Sequence, residues 1–252
     1  MRLKLVYFVF FLIILLISIA ALYFIRKYYL SNNLLRLDPL EDGSIRRDLL
    51  ITRDNTNNIW LMGDSRIARW NDKLLSPLGS NIVNLGIEGQ TTSQVMHRLR
   101  IYSETGIPQW LILEAGINDL KIIGLNKGLS AQLTERCFKN ISEIAELCIK
   151  KDINLIIINI FPTGKIELLR RIVWNSSVDP AIIEVNRKIK DYCNKNEMLF
   201  FDTYPFICND NFKIKEQYQN GFLHLNERAY KVLSENLIKE FGTRIKSGFI
   251  TK

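Results

Sequence analysis

The chain has 252 residues, 47% hydrophobic and 24% charged, with a net charge of +8. That balance excludes wholesale disorder, and at roughly 100–200 residues per domain it fits one large domain or two small ones. Four cysteines are too few for a disulfide-stapled miniprotein, two histidines (His97 and His224) leave little material for a zinc site, and the excess of positive charge is too small and too scattered to point to nucleic acid.

Leu5 to Ile25 carries no charge, no Gly and no Pro. As a helix at about 1.5 Å per residue it spans ~30 Å of hydrocarbon. Tyr7, Tyr23 and Tyr28 stand toward its ends, as interfacial aromatics do. Residues 1–27 therefore read as an N-terminal membrane anchor. The competing reading is a cleaved signal peptide, with Ser18-Ile19-Ala20 as the cleavage site, although apolar residues continue past it. Basic residues flank both ends (Arg2 and Lys4, Arg26 and Lys27), so charge leaves the orientation open. Residues 28–54 show no lasting period and read as a juxtamembrane stalk.

From residue 55 to about 245 the pattern becomes regular, with 246–252 as a tail. Short apolar runs at Ile59–Met62, Ile82–Leu85, Trp110–Ala115, Asn154–Ile160 and Met198–Phe201 end near Gly, Pro or Asp. Such runs suit strands buried on both faces. Between them lie helical patterns. Leu133, Cys137, Ile141, Ile144 and Cys148 share one helix face. Asp179-Pro180 predicts an N-cap and first helical residue for a helix using Ile182, Asn186, Ile189 and Cys193. Asn226 predicts the cap of a last helix carrying Tyr230, Leu233 and Leu237. Strand alternating with helix predicts a three-layer α/β/α sandwich with a central parallel sheet.

Cys137, Cys148 and Cys193 fall on apolar stripes, as small hydrophobes do. A Cys193–Cys208 or Cys148–Cys193 bridge stays open for an oxidising compartment. Asn140 and Asn175 match the glycosylation sequon, which chance alone produces in so Asn-rich a chain. His97 beside Arg98 and Arg100 predicts a solvated face, and Trp70 and Trp110 read as core.

In an open α/β sheet, ligands bind beyond the carboxyl ends of the strands. Three such ends carry unusual polar residues: Gly63-Asp64-Ser65-Arg66, the stretch Asn84 to Thr92, and Gly116-Ile117-Asn118-Asp119. Gly221 to Asn226, containing His224, precedes the last helix. A serine hydroxyl needs a base to become a nucleophile, and His224 is the natural one for Ser65. The oxyanion then needs donors. The N–H groups of Ser65 and Gly89 and the amide of Asn118 are the candidates. Gly89 permits close approach because it has no side chain. Asp64 and Asp119 are expected to bond local backbone, and Asp202 ends a strand at an unplaced distance from the site.

These blocks resemble those of the SGNH/GDSL hydrolase family. Gly63-Asp64-Ser65 is similar to its first block, Gly89 to the second, Gly116 to Asp119 to the third and His224 to the last. The resemblance covers about 59–241. It implies a flavodoxin-like fold, no metal or other cofactor, and hydrolysis of esters or thioesters. One position departs from the family: the Asp three residues before the histidine is here Gly221. A Ser-His dyad with the imidazole held by a backbone carbonyl near Gly221 is then expected, with modest turnover. The function expected is a membrane-anchored ester hydrolase with an extracytoplasmic domain. Its expected substrate is acylated polysaccharide or an acylated small molecule, and its contact with membrane is through residues 5–25. An O-acyltransferase with the same site, or a non-catalytic domain binding glycan or protein, are the alternatives. The sequence leaves the oligomeric state open.

Overall fold

The structure, a computed structural model, describes residues 2–39, 58–79, 81–167 and 174–248. The first helix, α1, runs Arg2–Leu35. It is long and apolar enough to cross a membrane, as a signal sequence near an N-terminus also is. It continues unbroken through the first residues of the expected stalk, whose remainder from 40 on lies outside the described residues. Leu37, just past its end, is buried in the core.

Five strands follow: β1 (Ile59–Gly63), β2 (Ile82–Gly86), β3 (Trp110–Glu114), β4 (Asn154–Ile158) and β5 (Leu199–Phe201). All neighbours pair in parallel, in the order β2-β1-β3-β4-β5. The apolar runs that predicted them lack alternation because both faces are covered. Ile59, Leu61, Ile112, Ile156 and Ile158 face α8 (Glu227–Gly248). Trp60, Met62, Leu111, Leu113 and Ile157 face α3 (Thr92–Thr105), α5 (Ser130–Lys150) and α6 (Val178–Lys195). Three short helices, α2 (Ser65–Ala68), α4 (Ile117–Leu120) and α7 (Tyr204–Ile207), follow β1, β3 and β5. The predicted helix faces are buried: Leu133, Cys137, Ile141, Ile144 and Cys148 on α5, and Ile182, Asn186, Ile189 and Cys193 on α6.

Several local expectations are corrected. β4 stops at Ile158 because the buried amide of Asn186 takes the next backbone instead. Its Oδ1 accepts from Ile160 N at 2.8 Å and its Nδ2 donates to Ile160 O at 2.8 Å. Asp179 is not a cap: α6 begins at Val178, two residues before the expected Pro180, with Ser177 at the cap position. The Asp179 carboxylate accepts instead from Thr163 Oγ1 and Lys213 Nζ. Asn226 does cap α8, accepting from Ala229 N at 3.1 Å. All four cysteines are free thiols. Asn140 is no glycan acceptor, since its buried Nδ2 donates to Thr92 Oγ1 at 2.8 Å and Ser93 Oγ at 3.0 Å, tying α5 to α3. Trp70 and Trp110 are in the core.

Candidate active site

The strand order reverses direction at β1, so the crevice beyond β1 and β3 is the switch point where ligands bind in such sheets. Gly63 is in register with Gly86 on one side and Glu114 on the other. The three polar blocks therefore leave the sheet at one level and on adjacent strands. The fourth arrives by a small antiparallel hairpin, β6 (Gln219–Asn220) with β7 (His224–Leu225). Strands of two residues have no readable period, so the hairpin carries no signal in the sequence.

Ser65 and His224 meet across this assembly, with Oγ 3.0 Å from Nε2. Asp64 caps α2, accepting from Arg66 N at 2.9 Å, and so fixes the turn that carries Ser65. Ser65 is the first residue of α2, so its N–H has no helical acceptor. Gly89 holds φ at +80°, a left-handed conformation that a side chain strains. No acceptor among the described residues takes the N–H of either residue. Asn118 is buried and gripped at both ends. Its Nδ2 donates to Gln90 O at 2.9 Å, and its Oδ1 accepts from Lys121 Nζ at 2.7 Å. One amide hydrogen stays available to a ligand.

Burial lowers the His224 pKa to about 4, helped by the positive Arg69 and Arg66 and opposed by Glu88. The imidazole is thus neutral at pH 7 and able to accept a hydroxyl proton. Its Nδ1 has no hydrogen-bond partner among the described residues. The expected contact with the Gly221 carbonyl is absent, because the hairpin is committed elsewhere. Asn220 pairs with His224 in the ladder, the Phe222 carbonyl accepts from Gly164 N at 2.7 Å, and the Leu223 carbonyl accepts from Arg66 Nε at 3.0 Å. Gly221 turns the chain at φ +71°, and a β-carbon there would meet nothing within 4 Å. Space for an acid exists; the acid does not. Asp202 is no substitute, since it accepts from Asn159 Nδ2 and Tyr204 N at the end of β5.

Two buried arginines brace the crevice. Arg66, wholly buried, donates to Leu223 O, to Phe161 O at 2.8 Å and to Pro162 O at 3.3 Å, and pairs with Glu114 at 3.4 Å. It links the serine turn to the histidine hairpin. Burial and the neighbouring Asp64 push the Glu114 carboxyl up to about 8. Arg98, expected on a solvated face, is instead wholly buried. It donates to Gln90 Oε1 at 2.7 Å and Gly63 O at 3.3 Å, stacking over Tyr102. Its signal was present: it lies on the same helix stripe as the buried Val95, Leu99 and Tyr102. Asp119 bonds not its own loop but Thr92, accepting from N at 2.9 Å and Oγ1 at 2.6 Å. Burial holds the Asp119 pKa near 6.

The fold is shared with solved structures. A candidate acylhydrolase of Bacteroides fragilis superposes with a TM-score of 0.65 at 22% identity, over 81% of this chain and 99% of that one. A GDSL-like lipase of Bacteroides thetaiotaomicron gives 0.59 at 21%, over 87% and 97%. A carbohydrate acetylesterase family member of Sinorhizobium meliloti gives 0.57 at 14%, over 75% and 99%. No curated protein matches by sequence. The model of the GDSL-like lipase/acylhydrolase family matches residues 51–232, spanning every strand and all four blocks, and by that match the chain belongs to this family.

Proposed function

We propose that the protein is a membrane-tethered serine ester hydrolase that removes small O-acyl groups from carbohydrate. The observation that carries this is the 3.0 Å contact between Ser65 Oγ and a neutral His224 Nε2, beside the N–H groups of Ser65 and Gly89, which have no acceptor among the described residues, and the one spare amide hydrogen of Asn118. His224 takes the Ser65 proton as Oγ attacks the acyl carbon, returns it to the sugar oxygen as that bond breaks, and then takes a proton from the water that releases the acyl group as a carboxylic acid and restores Ser65. The N–H groups of Ser65 and Gly89 and the Asn118 amide then receive the oxyanion. The imidazolium so formed lacks a carboxylate, so turnover is modest. The likeness to a carbohydrate acetylesterase supports the substrate class, and α1 supports the tether.

The test is hydrolysis of a chromogenic acetate ester by the full-length protein in neutral detergent, with and without a sugar acceptor. Full length is required because Leu37 belongs to the core. Faster loss of ester with acylated sugar as product would mark a transferase; no turnover would leave a binding domain. Asn118→Ala should lower turnover by roughly 10²–10³ with KM less affected. An unchanged kcat would remove Asn118 from the oxyanion site.

The pH profile follows from two shifts. His224 must be neutral to act, so kcat/KM should fall only as pH drops through about 4. Burial and the charge of Arg36 lower Lys121 to about 8, so its grip on Asn118 weakens as pH rises through that value. An acid limb near 6.5 would contradict the buried imidazole. The unfolded chain protonates His224 first, near 6.5, so stability contributed by the neutral imidazole declines as pH falls from there toward 4. The tether predicts that the full-length protein stays with membranes through a carbonate wash; release of a chain beginning at Ala21 would show a cleaved signal sequence.

A further inference from the structure

Two cations stand beside the candidate oxyanion donors without a carboxylate partner among the described residues. Arg36, exposed just past α1, donates from Nη1 to Gly89 O at 3.4 Å, and its own carbonyl accepts from Thr91 Oγ1 at 2.7 Å. A β-carbon built on Gly89 would lie 2.3 Å from that Nη1, so the guanidinium rests directly on the loop. Lys121 Nζ lies 2.7 Å from Asn118 Oδ1 on the same rim. Each is close enough to matter to the other, since the Arg36 charge helps depress the Lys121 ammonium. No ion pair among the described residues includes either one. The carboxylates that favour the Lys121 charge, Asp64 and Asp119, are wholly buried and bonded to Arg66 N and to Thr92. Glu88, the acid on the neighbouring loop, is taken by Arg69 at 2.9 Å.

Two like charges held together at a crevice cost free energy unless an anion joins them. A guanidinium offers a planar fork and an ammonium a point charge, which together suit a phosphate or carboxylate. We propose that Arg36 and Lys121 form a clamp for an anionic group borne by the substrate close to its acyl ester. The substrates would then be acylated acidic saccharides or phosphate-bearing polymers rather than neutral glycans. This rests on the hydrolase reading for its ester but not for its anion. The segment after the N-terminal helix thereby contributes a specificity residue to the site.

The experiment measures binding and turnover separately. Full-length Ser65→Ala protein in neutral detergent is titrated calorimetrically with acetylated glucose, acetylated glucose 6-phosphate and acetylated glucuronate. At low salt the anionic esters should bind about tenfold tighter than the neutral one, and added salt should shrink the gap. Arg36→Gln should close most of it, Arg36→Lys should restore part, and Arg187→Gln, which changes net charge equally on the exposed face of α6, should leave the ratio unaltered. A larger gap for the phosphate than for the uronate would identify the phosphate-bearing class. Equal affinities for neutral and anionic esters would overturn the clamp. So would a gap that persists when Arg36→Gln and Lys121→Gln are combined. Turnover by the unsubstituted protein is read alongside. A preserved anion preference without hydrolysis of any ester would sink the hydrolase reading and leave the clamp as the recognition site of a binding domain.

Discussion

Ser65→Ala and His224→Ala are each expected to lower ester turnover by about 10⁴-fold or more, to the level left by oxyanion donors and binding alone. The two should not add, because a serine without its base and a base without its serine lose the same step. Ser65→Ala should also abolish covalent labelling by an organophosphate probe. Labelling that survives would place the nucleophile elsewhere. The unpartnered Nδ1 sharpens the expectation. Singly changing Asp202, Asp210 or Glu216 to its amide should cost little, since none of them bonds the imidazole. A 10³-fold loss from any of these, with the fold intact, would reveal a displaced third member and end the dyad reading.

Arg66→Ala is expected to cost about 3–5 kcal/mol of stability, read from the denaturant midpoint at unchanged slope. Removing the guanidinium leaves Glu114 and Asp64 buried without their cation, and it strips the donor from the Leu223, Phe161 and Pro162 carbonyls. Against a total stability of about 5–15 kcal/mol such a loss is large. The deficit should be largest above about pH 8, where Glu114 is ionised, and should shrink as pH falls through that value, because a protonated carboxyl no longer needs the cation. The double variant Arg66→Met with Glu114→Leu should recover much of the stability, since a buried pair replaced as a unit is often neutral. It should not recover activity, because the hairpin holding His224 remains untied. A loss under 1 kcal/mol for Arg66→Ala would refute the bracing role.

The contrast between these residues shows what was legible. Strands could be read because Ile59–Met62 and Trp110–Leu113 are unbroken apolar runs with glycine close behind them, and that signal is local. Ser65, Asn118 and His224 could be read because each sits where such a run stops. Arg66 could not, because an arginine inside the fold and one in water look alike until the carbonyls that surround it are assembled from distant loops; for Arg98 the buried stripe was readable but its partners Gln90 and Gly63 were not. Asp119 finds Thr92, and Leu37 finds the core, across the same kind of distance. Asp179 misled for the opposite reason: its local cap signal was sound, but Lys213 and Thr163 claimed the carboxylate.

α1 is continuous from Arg2 to Leu35, and beyond its apolar part it is fastened to the domain. Arg26 donates to Leu125 O at 2.7 Å, and Arg136 donates to Leu37 O. Between Arg26 and Arg36 the chain rises by ~15 Å at the helical pitch. Were residues 5–25 seated in a bilayer as proposed, this post would fix the height of the crevice above the lipid. A protein so held would serve a thin layer in two dimensions, reaching groups that lie within about one domain radius of the lipid surface. Its working range would be set by the length of a helix, and lengthening that helix by whole turns would raise the layer it serves without altering the chemistry.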